Sequence, residues 1–306
     1  MHVLIPFAAP LSAAGRQSVE ALRLPNLASL FAQAAEPSID AGDALSFSPP
    51  HERALAREFG WAGADGCLPF AAHLAAADGR DTGALDWGLL TPSHWHVGSD
   101  QVALTDPQAL ELDEASSRSL LDAVKDLFES EGFVLVYGAP LRWYLAHESL
   151  AGRRSASPDR VIGRNVDAWM TPGADARLLR RLQSEAQMRW YGHGLNDERE
   201  ARGLPVVNSF WLSGCGRRQP AAPAADLRID ERLRRPALAE DWTAWAAAWQ
   251  ALDAGPLAEL RQQPAARLTL CGERASATWV TGSAGRWRRL AGAWRRTAPQ
   301  LMLETL

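Results

Sequence analysis

The run from Tyr191 to Gly216, YGHGLNDEREARGLPVVNSFWLSGCG, constrains the fold of this chain more than any other stretch. Asn196-Asp197-Glu198-Arg199 leads through a turn at Gly203 into an apolar strand over 206–212, and the run closes in Ser213-Gly214-Cys215-Gly216. A strand ending in a small, glycine-rich turn is where α/β folds place ligands, because glycine lets a ligand approach the backbone. The same signals also describe a buried strand leaving the core through a flexible loop. Upstream, an amphipathic helix over 116–130, a stop at Glu131-Gly132 and a strand over 133–137 repeat the helix–glycine–strand order of an α/β protein.

Taken in order, the apolar run 3–7 predicts a first strand, and Leu24-Pro25 opens a helix carrying Leu27, Leu30 and Phe31 at helical spacing. Helices are expected over 51–59 and 70–77, the second closed by Asp78-Gly79. Another is expected over 175–191, with Leu178, Leu179, Leu182 and Met188 on its apolar side. The segment 40–51 reads as a polar loop, in which Ser46 and Ser48 are the alternative as nucleophiles. Gln219–Ala225, QPAAPAA, is a Pro/Ala linker. It divides the chain into an α/β region over 1–218 and a helix/strand segment over 226–306 that packs back on the same core. In that segment Trp242, Trp245 and Trp249 form a helical stripe suited to a core or an interface. Two strands follow, over 267–273 and 277–280. The end, GRWRRLAGAWRR over 285–296, predicts a helix with Trp287, Leu290 and Trp294 opposite its arginines. That basic face is either solvated or a docking site for an acidic protein partner.

With 306 residues, 47% of them hydrophobic, the chain can bury one large core or two moderate ones. A formal charge of −4 argues against a general nucleic-acid binder, which needs a basic face. Lys125 is the only lysine, so nearly all positive charge is arginine, the residue suited to bidentate anion binding. Cys67, Cys215 and Cys271 form no C-x-x-C pair and fit a reducing compartment. No apolar run reaches membrane-spanning length, and the expected location is cytoplasmic.

Four sets of residues could carry chemistry. His94 and His96, two apart on a strand, would face one way and with Asp100 offer metal ligands or line a pocket. Arg160 and Arg164 could clamp a phosphate or carboxylate, or pair with Asp159 and Asp167 and fix their own loop. Asn196, Arg199 and Asn208 supply further polar contacts. Cys215 with His193 would be a thiol–imidazole pair, but no third group orients it.

The N-x-x-R segment, the Gly203 turn and the strand closing in G-x-G resemble the corresponding part of archaeal-type cofactor-independent phosphoglycerate mutases, in the alkaline-phosphatase-like superfamily. The whole chain looks closer to a related bacterial family, the RpfE-type regulatory proteins. The resemblance implies an α/β fold, a mixed sheet flanked by helices like the inserted domain of the mutases, with reduced flanking segments. The mutases resembled use a Ser or Thr nucleophile and two metals held by Asp and His from both ends of the chain. Here strand one ends in Pro6-Phe7-Ala8-Ala9-Pro10 without a carboxylate, and no histidine follows His193. The expectation is therefore a protein without catalytic residues, metal or cofactor. It would have a regulatory role or bind an anionic small molecule through Arg160, Arg164, Asn196, Arg199, Asn208, His94 and His96. Two alternatives stand beside it. One is a metal-dependent phosphomutase or phosphohydrolase with a site near His94, His96 and Asp100. The other is an interaction module acting through the Trp/Arg-rich C-terminus.

Overall fold

The computed structural model describes residues 1–170, 174–224, 226–282 and 298–306. In chain order the strands are β1 (His2–Ile5), β2 (Ser38–Asp40), β3 (Asp86–Ser93), β4 (Trp95–Val97), β5 (Val102–Leu104), β6 (Val134–Ala139), β7 (Arg142–Ala146), β8 (Ser209–Arg217), β9 (Leu227–Ile229), β10 (Arg267–Cys271) and β11 (Ser276–Val280). The helices used below are α1 (Ala13–Ala21), α2 (Pro25–Gln33), α3 (Pro50–Phe59), α4 (Phe70–Ala77), α5 (Glu114–Glu129), α6 (Pro158–Val161), α7 (Ala174–Tyr191), α8 (Gly194–Ala201), α9 (Arg234–Leu238) and α10 (Trp242–Leu252). The protein is α/β, with a mixed sheet flanked by helices.

The chain divides into two compact units. The first comprises 1–45, 49–60 and 222–306, and the second 46–48 and 61–221. The passage from one to the other at 221/222 falls inside the Pro/Ala segment expected as a linker. Residues 1–45 and 49–60, however, belong with the C-terminal segment rather than with the α/β region that follows them. The reason is strand pairing. β1 lies between β9 and β10 and runs parallel to both, in a five-stranded sheet ordered β2-β11-β10-β1-β9. No local sequence signal reports pairing at that separation.

In this first unit both faces of β1 are covered. Val3 and Ile5 join a core with Leu27, Trp245 and Leu270, while Leu4 packs with Ala54 of α3 and Cys271. A central parallel strand buried on both faces reads as an unbroken apolar run, which is what His2–Ile5 is. The tryptophan stripe is core: Trp245 and Trp249 are fully buried and donate their indole N–H groups to Phe7 O at 2.9 Å and Ala8 O at 3.3 Å. α2 begins at Pro25 without a side-chain cap of its own. Buried Asp253 supplies one from across the core, accepting from Leu27 N at 2.8 Å and Asn26 N at 3.2 Å. The helix expected over 285–296 lies outside the described residues.

The second unit is built on an antiparallel sheet ordered β6-β7-β3-β8. Alternation along β7 divides its faces. Trp143 and Leu145 meet Leu120, Val124 and Phe128 of α5 and Leu182 and Trp190 of α7, whereas Tyr144 and Ala146 meet Ala71, Ala72 and Ala75 of α4. Leu179 and Leu182 of α7 are buried as expected, but Met188 is 74% exposed. Gly214 and Gly216 do not form a turn. They lie inside β8, where the register against β3 shifts between Trp87 and Leu89. Gly214 has φ +61°, and a Cβ there would stand 3.1 Å from the backbone nitrogen of Ala71. The glycines let a bulged strand continue beneath α4. No helix among the described residues is long and apolar enough to cross a membrane.

Candidate functional site

The residues singled out in the sequence fall at three places in the second unit. His94 lies between β3 and β4, with Nδ1 2.9 Å from Val206 O. His96 is exposed on β4, its ring centroid 6.5 Å from that of His94. Asn208 reads the backbone of Trp95 in both directions, accepting from its N–H at 2.7 Å and donating to its carbonyl at 2.9 Å. Its amide thereby ties the start of β4 to the approach to β8. Among the described residues no three His, Cys, Asp or Glu side chains gather as a metal-binding set.

Asn196 and Arg199 lie on α8, and both side chains are turned into the protein. The Asn196 amide donates to Trp190 O at 2.9 Å and Val207 O at 2.8 Å and accepts from Val207 N at 2.9 Å. Arg199, 5% exposed, donates from Nε to Pro205 O at 2.8 Å and from Nη2 to Leu110 O. Burial lowers its pKa below the ordinary arginine value. Asn196 and Asn208 do come together along one groove of about 460 Å³, which also takes in Trp95, Met188, Tyr191 and Glu200. Its rim carries the carboxylates of Asp197 and Glu200 and no arginine.

Arg160 and Arg164 are elsewhere. Their segment runs beside β5, through bridges from Leu104 to Ile162 and from Ala103 to Asn165. Arg160, on α6, is 3% exposed and donates to Ser46 Oγ at 2.9 Å. Arg164 is exposed. Ser46 Oγ also donates to Ser48 O, and Ser48 Oγ accepts from Gly66 N at 2.9 Å, so both serines of that loop hold backbone or side-chain partners. Cys215 is buried, its thiol pushed up to about 12 by desolvation, and His193 accepts from Leu195 N at the start of α8. Neither has the setting of an activated nucleophile.

A cavity that the sequence reading did not assign has a different character. It measures about 80 Å³ and is lined by Arg153, Arg154 and Arg180 together with Trp169, Phe210 and Trp211. Arg154 is engaged, donating to Asp65 at 2.8 Å, with its Cζ 4.4 Å from the centre of the Phe47 ring. Arg153 is different. Its Nε is buried and has no hydrogen-bond partner among the described residues. A buried, unsatisfied donor costs roughly 1–3 kcal/mol, more when charged, unless something accepts from it. The surrounding walls are nearly dry: Trp169, Phe210 and Trp211 are each 5% exposed or less. The sequence signal was the Arg153-Arg154 doublet after Gly152, which has φ +61°. It was no stronger than the Arg160/Arg164 pair, because side-chain direction depends on how the loop packs.

No protein-family model matches the chain, and no curated protein matches it by sequence. Among solved structures it is similar to a cofactor-independent phosphoglycerate mutase from Thermoplasma acidophilum DSM 1728, with 14% identity and a TM-score of 0.37 over 100% of this chain and 99% of that one. It is also similar to the PH0037 protein from Pyrococcus horikoshii, with 14% identity and a TM-score of 0.46 over 93% of this chain and 88% of that one. Both likenesses are distant.

Proposed function

We propose that this is a non-catalytic, phosphoglycerate-mutase-like protein with a regulatory role, exercised by binding a small anionic ligand in the cavity at Arg153. The observation that carries the reading is a cavity lined by three arginines, among them Arg153, whose Nε is buried without an acceptor among the described residues. A guanidinium offers its donors in a fork that fits a carboxylate or phosphate oxygen pair. The non-catalytic part is supported by the state of the reactive side chains: Ser46, Ser48 and His94 hold internal partners, and Cys215 is kept as a thiol.

The test is calorimetric titration of the full chain with acetate, phosphate, benzoate and phenyl phosphate, repeated on Arg153→Met. Saturable binding by any of these that falls about tenfold or more in the variant supports the reading. Binding by none, or binding indifferent to Arg153, overturns it. A phosphoglycerate mutase assay with added manganese bears on the other half, and sustained turnover there would rule out a non-catalytic protein.

A further inference from the structure

We infer that the ligand of the Arg153 cavity is an anion with a compact apolar body: a monocyclic aromatic or short branched carboxylate or phosphate. Its charged group would rest on Arg153 and its body against Trp169, Phe210 and Trp211. This rests on the anion-binding reading and narrows it.

Three features argue for the apolar body. The first is that two of the polar groups along the walls are already engaged. The Trp211 indole N–H donates to Ala156 O at 2.8 Å, and Gln183 Nε2 donates to Ser209 Oγ at 3.0 Å and Phe210 O at 2.9 Å. A polyhydroxylated ligand would leave its hydroxyls short of partners there, at the cost of burying an unsatisfied polar group. The second is the ring faces themselves. A bare inorganic anion on Arg153 would leave the apolar wall in contact with water, whereas an apolar body removes that contact. The third is size. A cavity of about 80 Å³ has room for roughly five to eight water-sized groups, enough for one ring or a short branched chain but not for a nucleotide. Arg153 is thus the recognition point for charge, and the aromatic wall discriminates by shape.

The experiment compares affinities on the unaltered full chain, so no variant has to fold for the proposal to be tested. Acetate is set against benzoate and inorganic phosphate against phenyl phosphate, with benzamide as the neutral partner of benzoate. The expected result is that each ring-bearing anion binds about tenfold or more tightly than its bare counterpart, and that benzamide binds at least about tenfold more weakly than benzoate. If the bare anions bind as tightly as the ring-bearing ones, the apolar body is wrong while the anion-binding reading stands. If benzamide matches benzoate, or nothing binds, the reading itself fails and this inference falls with it. A Trp169→Leu variant, checked for folding by circular dichroism, should lose the preference for benzoate over acetate. A folded variant that keeps the preference in full would place the body elsewhere and overturn the assignment.

Discussion

In the 61–221 unit Arg199 is buried and Arg153 half-buried, and their donors end differently. Arg199 reaches the carbonyls of Pro205 and Leu110 and thereby pins the loop after α8 and the segment before α5. Arg153 lines a cavity, and its Nε is buried with no acceptor among the described residues. The first arrangement is what a buried charge needs for stability, and the second is stable only in the sense that the rest of the fold tolerates it. The contrast separates a residue that holds the protein together from one with binding capacity left over. Residue type and motif membership would have ranked the two the other way.

The largest effect expected of any substitution discussed here follows from the satisfied arginine. Arg199→Met strands the buried Leu110 carbonyl and the half-buried one of Pro205 and should cost about 3 kcal/mol in urea unfolding, with benzoate affinity of the remaining folded protein unchanged. A loss below about 1 kcal/mol would erase the distinction drawn above.

His2 extends the comparison to a buried group that desolvation keeps neutral. Its ring is 4% exposed, with Nε2 2.8 Å from Thr269 Oγ1, and burial lowers its pKa from 6.5 to about 4. Glu58 stands 3.5 Å from Nδ1 and favours the charged ring, but Arg267 already engages that carboxylate at 2.6 and 2.9 Å, and desolvation wins. Below pH 6.5 the unfolded chain takes up a proton that the folded chain refuses. Stability is therefore present above pH 6.5 and falls progressively as pH drops toward about 4, by on the order of 2–3 kcal/mol. Urea midpoints measured from pH 7.5 to 4.5 should show this slope, and His2→Gln should flatten it.

Asp253→Ala removes the borrowed cap of α2 and should cost about 1–2 kcal/mol. Asp253→Asn, which keeps an oxygen acceptor at the cap, should recover part of that loss. Recovery of nothing would mean that Asp253 acts through its charge instead. The smallest stability effect belongs to Arg153→Met. It should shift unfolding by no more than about 0.5 kcal/mol in either direction while weakening benzoate binding about tenfold. A large destabilisation there would make Arg153 a second Arg199.

Much of the scaffold was legible in the sequence because its signals are local. Phe70–Ala77 was read with the bounds the helix has, and α2, β6 and the β10–β11 pair were each anticipated. α1 was missed because AAGRQSVEA offers a single large apolar residue, Val19, to the core. The glycines of β8 were read as a turn because φ > 0 is as compatible with a bulge as with a reversal, and the choice is made by α4 packing against the strand. For the candidate site the sequence offered arginines as the recognising side chains. Arginines do gather around a cavity, but they are Arg153, Arg154 and Arg180 rather than Arg160 and Arg164. Asn196 and Asn208, chosen for polar contact, proved to hold the backbone around a groove with an acidic rim.

The pairing of β1 with β9 and β10 has a consequence for biosynthesis. On a ribosome adding roughly 5–20 residues per second, β1 emerges some ten to fifty seconds before Arg267 is joined to the chain. For most of that interval the sequence HVLI has neither of its neighbouring strands, and towards its end 61–221 can complete its own sheet. A nascent chain stalled after 61–221 has emerged, but before Arg267 is added, would thus display a folded middle and a sticky, unpaired β1. Chaperone demand should concentrate on β1.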